Sequence, residues 1–238
     1  MVKSLKPNQK NNQIKELFFV INNLFIFVTA AIAVTVTLII GSHTAHVDNS
    51  PFPYWQHIAT FTILSNIFLG LVAGICAFTV IYSKLKKIAI PHQRAIELWY
   101  LTATTAAMIT CVTVVFFLAP ARVSRGGNYL DPFLETLFFL HFFNPLLAAV
   151  TFIFTTKNST ISFKTRFLTT LPIIAYAIPY FTCVMVLKTW PDFYGLTFGG
   201  RLYITPIVLV VFIVVSLVIS SVLVKLRNVL QNKLSVIS

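Results

Sequence analysis

Three hydrogen-bonding side chains stand within an otherwise apolar run early in the chain. Thr62, Ser65 and Asn66 are spaced i, i+3 and i+4, so on a helix they share one face. Hydrocarbon offers no partners to such a face, so a membrane segment can bury it only against other helices or a wet cavity. We therefore expect it to look inward, towards a helix, a polar path or a ligand. Further along, Gly70 and Gly74 form a GxxxG pair, which predicts a close helix contact.

A second polar stripe carries an ionisable residue. His141, Asn144, Pro145 and Ala148 follow the spacing i, i+3, i+4 and i+7, which places them on one helix face. A titratable group inside a membrane segment is costly, so His141 is a functional candidate, although a histidine held by a hydrogen bond between helices is a rival interpretation. Pro145 has no N–H and frees the carbonyl of His141, so we expect a local hydrogen-bond defect there.

The composition defines the class of protein that must position these side chains. Of 238 residues, 57% are hydrophobic and only 10% are charged, and the mean hydropathy is +0.85. These values exclude an ordinary soluble domain and predict an integral membrane protein. Six apolar runs each approach the roughly 20 residues that cross a bilayer core. We predict an all-α, polytopic membrane protein with a single domain, 1–238, whose six transmembrane helices span 17–41, 58–82, 96–118, 133–155, 167–187 and 202–224.

The basic residues predict the orientation of the bundle. If the N-terminus is cytoplasmic, that side carries 14 Lys and Arg residues and the other side carries 4. This bias is the positive-inside pattern, so we predict a multi-pass protein of the cell membrane with both termini in the cytoplasm. It also explains most of the formal net charge of +12 without a nucleic-acid partner. In this orientation Thr62 and His141 lie about 8 and 12 Å below the outer ends of their helices, at about 1.5 Å per residue, and could share one level.

Two acidic residues on the predicted outer side are further candidates. Glu135 lies near the start of the fourth run. Asp192 belongs to a Trp-Pro-Asp-Phe-Tyr segment typical of an interfacial anchor, and it is a candidate to orient His141 or to close the outer mouth of a cavity. The three cysteines lie in apolar runs without metal-ligand spacing, so we expect neither a metal nor another cofactor.

Three short motifs carry a resemblance to known proteins. They are Phe-Thr-Ile-Leu-Ser-Asn at 61–66, His-Phe-Phe-Asn-Pro at 141–145 and Trp-Pro-Asp-Phe-Tyr at 190–194. With them the chain resembles a group of bacterial six-span membrane proteins and, more distantly, the animal androgen-induced and androgen-dependent membrane hydrolases that cleave fatty acid esters of hydroxy fatty acids. The resemblance implies an intramembrane hydrolase that needs no metal, in which Thr62 looks like the threonine nucleophile and His141 looks like the family's histidine.

The chemistry of these side chains is consistent with that implication. A threonine hydroxyl is a poor nucleophile at neutral pH and needs a base within reach, which a neutral imidazole can supply before it returns the proton to the leaving alcohol. Asn66 and Asn144 lie at a level from which they could donate to the acyl oxyanion. The third member of a triad stays open among Glu135, Asp192, Ser65 and Asn144. We expect a lipid ester that enters from the outer leaflet, and membrane lipids as the partners.

Two other functions fit the same residues. In a small transporter or channel, Thr62, Ser65, Asn66, His141 and Asn144 would line a polar path, and the histidine would relay or sense protons. The chain shows no two matching halves, which argues against that class. In a scaffold the two stripes would only pack helices together, as small and hydroxyl residues often do in membranes. The sequence makes no prediction of the oligomeric state.

Overall fold

The protein folds as a bundle of helices. The computed structural model describes residues 7–47, 58–156, 160–192, 194–197 and 200–237, and none of these residues lies in a β-strand. Their α-helices, in chain order, are α1 (Pro7–Val47), α2 (Phe61–Lys86), α3 (Gln93–Thr113), α4 (Ala119–Ser124), α5 (Glu135–Phe138), α6 (Asn144–Thr155), α7 (Phe163–Arg166), α8 (Leu171–Phe181) and α9 (Thr205–Ile237). Short π-helical or 3₁₀-helical segments join several of them into longer helices.

Six helical stretches are long and apolar enough to cross a membrane, as the sequence predicts. In chain order the first to sixth spans are Gln13–Ile40, Phe61–Lys86, Gln93–Ser124, Glu135–Thr155, Phe163–Val186 and Thr205–Lys233. Each overlaps its predicted run, but the bounds differ: the sixth, predicted over 202–224, continues to Lys233. The polar stretch before residue 17 is helical from Pro7 onward. Hydropathy marks where a helix is apolar, whereas a formed helix extends readily into polar sequence.

The first span begins and the sixth span finishes at the same end of the bundle. Lys15 donates to Gln231, with 3.4 Å between Nζ and Oε1. We call this end the terminal end, and it also holds the turn between α2 and α3. The opposite end holds the start of α2 and the loop between the fifth and sixth spans.

Small residues bring α1 and α2 together. A Cβ added to Gly70 would lie 3.0 Å from the Cβ of Ala30, and one added to Gly74 would lie 3.0 Å from the ring of Phe27. A side chain on either glycine would therefore force its neighbour on α1 to shift by a few tenths of an ångström. The close contact predicted from the GxxxG pair is confirmed.

The interior consists of two main apolar clusters. The larger one surrounds Ile26, Leu69 and Phe152, which are fully buried. The second surrounds Ile109 and Tyr180 and packs the third span against the fifth and sixth near the opposite end. Together they hold the second and third spans in the middle of the bundle.

Three spans are interrupted by π-helical segments near the opposite end. They are Val114–Leu118 in the third span, Phe139–Phe143 in the fourth and Thr182–Val186 in the fifth. A π-helical turn inserts an extra residue, changes which side chains face the interior, and is frequent at functional sites. The segment in the fourth span contains His141 and precedes Pro145, so the predicted hydrogen-bond defect is present, but the carbonyl that Pro145 leaves without a donor is that of Leu140 and not, as predicted, that of His141.

Candidate functional site

A narrow cavity lies near the opposite end, between the second, third, fifth and sixth spans. It is small, with a volume of about 40 Å³. Its wall is mostly apolar, and Thr62, Thr110, Tyr176 and Tyr194 are among the residues that add hydroxyl groups to it. The wall therefore combines an apolar surface with a few hydroxyl side chains.

Thr62 borders this cavity from the first turn of α2. Thr60 caps the helix, and its side chain accepts the N–H of Ile63 at 3.4 Å. The Tyr194 hydroxyl accepts the N–H of Phe61 at 2.8 Å and lies within hydrogen-bond reach of Thr62. Burial raises the pKa of the Tyr194 phenol, although these contacts oppose the shift, so the phenol is protonated at neutral pH. A loop distant in sequence thus fixes the start of α2.

Two side chains one turn further along fix the main chain of Thr62. Ser65 donates to Thr62 O at 3.1 Å and shares a 3.0 Å hydrogen bond with the hydroxyl of Thr110 on α3. Asn66 is fully buried, and its Nδ2 donates both to Thr62 O and to Leu140 O, at 2.9 Å each. Both side chains face the interior, as their spacing predicts.

The carbonyl of Leu140 accepts this bond because the fourth span provides no donor for it. In the π-helical segment the N–H of Asn144 bonds to Phe139 O, five residues back. The residue five positions after Leu140 is Pro145, which has no N–H. Asn66 supplies the missing donor from another helix. The contact between the second and fourth spans is therefore specified by a proline on one helix and an amide on the other.

His141 follows Leu140 directly, is only 8% exposed, and has its ring held from outside its own helix. The ring Nδ1 lies 2.5 Å from the carbonyl oxygen of Pro132, in the segment before α5. A carbonyl oxygen can only accept, so Nδ1 carries the proton and Nε2 of the neutral ring keeps its lone pair. The main-chain carbonyl of Pro132 thus fixes the tautomer and the orientation of the ring. The ring can accept a further proton through Nε2.

Thr62 and His141 are linked only indirectly, through the side chain of Asn66, and not by a contact between their own side chains. The carbonyl oxygens of Thr62 and Leu140 bond to the same Asn66 nitrogen, so the second and fourth spans meet within one residue of the histidine. Among the described residues no hydrogen bond joins the Thr62 hydroxyl to the imidazole, and the histidine is not part of the cavity wall. The structure brings the two segments to one level and leaves the imidazole bonded to Pro132.

Asn144 keeps an unused donor inside the bundle. Its Oδ1 accepts from the hydroxyl of Thr29 at 2.8 Å, whereas its buried Nδ2 has no partner in the described part of the chain. Asn66 shows the reverse, because Nδ2 makes two bonds and the buried Oδ1 makes none there. Of the two amides expected to face an oxyanion, Asn144 is the one with a free donor.

Glu135 is exposed at the start of α5 and has a positive φ of 52°.

Asp192 organises the loop that closes the cavity at the opposite end. Its carboxylate accepts from the hydroxyl of Tyr180, from the N–H of Leu196 at 3.0 Å, and from the N–H and hydroxyl of Thr197 at 2.9 and 2.7 Å. Burial alone raises the pKa of this carboxyl, but the four donors outweigh it and hold the pKa below its ordinary value. Tyr180 and Leu196 both line the cavity, so these contacts favour the expected role at its mouth.

Several residues that form the site were not among the candidates identified from the sequence. Tyr176 and Tyr180, one turn apart on α8, stack with ring centroids 5.5 Å apart and line the cavity together with Tyr194. The i, i+4 spacing of the first two is a signal that could have been used. The contact between Pro132 O and His141 has no such signal, because a main-chain acceptor leaves no mark on residue type.

The fold and the site define a multi-pass helical membrane protein with a mostly apolar cavity, bordered by a few hydroxyl groups, near one end of the bundle. Comparisons with models of known families, with curated proteins and with solved structures found no match. The functional assignment therefore depends on the residues themselves.

Proposed function

We propose that the protein is an intramembrane threonine hydrolase that cleaves a lipid ester, with Thr62 as the nucleophile and His141 as the general base. The observation that carries the proposal is the Asn66 amide, which binds both the main chain of the nucleophile and the residue before the base. The Nδ1 contact with Pro132 supports it, because that contact leaves Nε2 as the proton acceptor. The resemblance to the androgen-induced and androgen-dependent hydrolases suggests the same two roles.

In the proposed reaction, Nε2 of His141 takes the hydroxyl proton of Thr62 while Oγ1 attacks the ester carbonyl carbon. The tetrahedral intermediate collapses to an acyl ester on Thr62, and the imidazolium gives its proton to the departing alcohol. Water then attacks the acyl ester with the imidazole again as base, which releases the fatty acid and restores the hydroxyl. Nδ2 of Asn144 is the free amide donor for the oxyanion, whereas Nδ2 of Asn66 already makes two bonds.

The reaction requires the hydroxyl of Thr62 to turn from Tyr194 towards the imidazole. A threonine in a helix populates two χ1 rotamers, so Oγ1 can move without any change in α2. A lipid ester in the cavity would replace the contact with Tyr194 and favour the second rotamer. The tyrosine thus belongs to the resting state of the site, and the proposed chemistry needs no metal and no cofactor.

The cavity wall and the charge distribution support a lipid substrate from the outer leaflet. The largely apolar wall suits an acyl chain. Of the basic residues in the described part of the chain, only Arg122, Arg125, Lys188 and Arg201 lie at the opposite end, which by the positive-inside pattern would face the outside of the cell membrane, with both termini cytoplasmic. An ester group near the headgroup level of that leaflet would meet the first turns of α2.

The proposal is tested by covalent labelling of the purified protein in detergent with a fluorophosphonate, followed by peptide mass spectrometry. Wild type is compared with Thr62→Ala and His141→Ala. Two matched controls use residues of the same types outside the site. Thr79→Ala lies on the same helix, where the hydroxyl bonds to Ile75 O at 2.7 Å, and His92→Ala lies just before α3. Thermal unfolding verifies that each variant folds.

We expect the label on Thr62 in wild type and in both controls, and no label in the two site variants. Thr62→Ser should keep the label, because serine retains a nucleophilic hydroxyl. A folded wild type that takes no label refutes the hydrolase. A His141→Ala variant that labels as fast as wild type removes the histidine from the role of base.

A polar path is a second candidate function, because several buried polar atoms in the bundle have no partner among the described residues. They include the hydroxyls of Thr104 and Thr105 and Nδ2 of Asn144. Such atoms in a membrane interior are expected to bind water or an ion. With His141 near the opposite end, they would form a route for protons. The test is proton flux into liposomes under a pH gradient: a flux that His141→Ala abolishes supports the path, and a flux equal to that of empty liposomes excludes it.

A further inference from the structure

An apolar groove, separate from the candidate active site, opens on the surface of the bundle between the second, third and fifth spans. Its volume is about 390 Å³, and its wall includes Phe68, Trp99, Thr102 and Leu168. Trp99 is 58% exposed and Leu168 is 43% exposed, so the groove is open to its surroundings. The Thr102 hydroxyl donates to Leu98 O at 2.8 Å and is therefore bonded within its own helix. The wall thus makes little demand for a polar partner and suits a hydrocarbon chain.

The groove lies within the leaflet at the terminal end of the bundle. Gln231 donates to Thr156 O at 3.2 Å, so the fourth span ends and the fifth begins at this end, where α3 also begins. Leu98 and Thr102 in the groove wall follow Gln93, the first residue of α3, by about 8–14 Å at about 1.5 Å per residue. One leaflet supplies about half of a hydrocarbon core that is about 30 Å thick. The groove therefore lies at the depth of the headgroup boundary and the acyl chains of a single leaflet.

Two exposed cations, on two different helices, lie on the terminal side of the groove. Arg94 is four residues before Leu98 on α3, and Lys164 is four residues before Leu168 at the start of the fifth span. In the described part of the chain neither cation forms an ion pair with a carboxylate. Residues about one turn apart share a helix face, so each cation lies about one turn closer to the headgroups than the groove wall.

The carboxylates that the described residues place at the terminal end are paired with other cations. Glu97, three residues after Arg94, is only 5% exposed and lies 4.0 Å from the guanidinium of Arg227. Glu16 lies 2.9 Å from Nζ of Lys84. The other acidic residues of the described part lie at the opposite end, and they are Asp131, Glu135 and Asp192. A cationic rim above an apolar wall complements an anionic headgroup above a hydrocarbon chain.

We propose that this groove binds an anionic phospholipid of the leaflet at the terminal end, with its phosphate facing Arg94 and Lys164 and one acyl chain along the apolar wall. The exposed indole of Trp99 adds an N–H donor at the interfacial level that tryptophan favours. A zwitterionic lipid carries its own cation and gains less from the two basic side chains. The site does not depend on the proposed hydrolase.

The test is quenching of Trp99 fluorescence in bilayers that contain either brominated phosphatidylglycerol or brominated phosphatidylcholine among ordinary lipids. Bromine on an acyl chain quenches a tryptophan that it contacts, so the extent of quenching reports which lipid occupies the groove. Trp99→Phe identifies the part of the signal that belongs to this residue. Native mass spectrometry counts the lipids that the protein retains and shows whether copies of the chain associate.

Three variants alter the groove and one serves as a matched control. Arg94→Gln and Lys164→Gln each remove one cation, and Ala175→Phe fills the groove from an exposed position in its wall. Lys86→Gln is the control, because it removes an exposed cation of the same end that lies in the last turn of α2 and outside the groove.

We expect the groove to prefer phosphatidylglycerol over phosphatidylcholine by at least about tenfold, and each cation variant to reduce this preference by about fivefold. Ala175→Phe should lower the number of retained lipids, and the control should change neither result. Equal quenching by the two lipids overturns the charge argument, and a control that loses as much preference as the cation variants overturns the site. Unchanged lipid retention in Ala175→Phe excludes the groove. A Trp99 that neither lipid quenches, together with dimers in the mass spectrum, overturns the lipid in favour of a second copy of the chain.

Discussion

Replacing Asn66 with leucine should change the free energy of unfolding only slightly but should remove most of the reactivity of Thr62. Leucine is similar in size but has no donor, so Asn66→Leu removes the bonds from Nδ2 to Thr62 O and to Leu140 O. Interhelical hydrogen bonds in membrane proteins contribute about 0.6 kcal/mol on average. The buried, unpartnered Oδ1 of the amide disappears at the same time, which recovers about 1–3 kcal/mol of desolvation.

These effects nearly cancel in the free energy of unfolding. Ser65 still donates to Thr62 O at 3.1 Å, so the carbonyl left without a donor is that of Leu140. We expect a net loss of at most about 2 kcal/mol, which corresponds to about 4–8 °C in the thermal midpoint for a chain of this size. The hydrogen bond between the second span and the segment that carries His141 is lost, however, and the labelling rate at Thr62 should fall at least about tenfold.

The assay is the rate of fluorophosphonate labelling at Thr62, measured well below the thermal midpoint of each variant. Pro145→Ala in the Asn66→Leu background is the informative control. Alanine restores an N–H five residues after Leu140, so the double variant should regain stability without regaining the labelling rate. A folded Asn66→Leu protein that labels as fast as wild type would refute the reasoning.

Three further substitutions test other contacts. Asp192→Asn should lower the thermal midpoint at pH 7. Hydrogen-bond donors hold the pKa of the Asp192 carboxyl below its ordinary value of 3.8, so the ionised carboxylate stabilises the fold fully above that pH and loses this effect as the pH falls through the lowered pKa. The thermal midpoints of wild type and variant should therefore converge in acid. A midpoint at pH 7 equal to that of wild type contradicts this. Tyr194→Phe removes the acceptor of the Phe61 N–H and should cost about 1 kcal/mol, with faster hydrogen exchange at the start of α2; unchanged exchange contradicts it. Arg227→Met should lower the free energy of unfolding by about 3–5 kcal/mol, because Glu97 then stays buried without its partner cation. In a double-mutant cycle, adding Glu97→Gln should recover most of this loss, whereas additive losses would contradict the coupling.

The spans could be predicted from the sequence because hydropathy is a property of each segment alone. Their ends could not, because a charged residue inside a helix depends on what it meets in the fold. The sixth span continues past Lys225 and Arg227 since the arginine is fully buried, with its guanidinium 5.2 Å from the ring centroid of Phe152 and one nitrogen 4.0 Å from Glu97. Neither contact is visible before the spans are packed.

The same limit applies to the candidate site. The helical period predicts which face of α2 is buried, but the partner of Asn66 depends on the register between two helices. Pro145 is a genuine sequence signal, and it predicts a free carbonyl on His141. The structure shows an Asn66 bond to the preceding carbonyl, Leu140 O, because the π-helical turn lengthens the bonding pattern from four to five residues.

A purely structural polar stripe and a catalytic one differ in the hydrogen bonds they leave unmade. In a packing contact each buried donor gains by finding a partner, as Nδ2 of Asn66 does twice. Nδ2 of Asn144 is fully buried and has no partner among the described residues, at a cost of about 1–3 kcal/mol that an apolar side chain of the same size would avoid. A donor whose partner forms only in the transition state is useful to an enzyme, because its interaction energy then lowers the barrier instead of stabilising the resting state. Asn144→Leu should therefore leave the thermal midpoint of the protein equal or higher and slow the labelling of Thr62. If the polar stripe is only a scaffold, the same substitution should raise the stability without slowing the labelling.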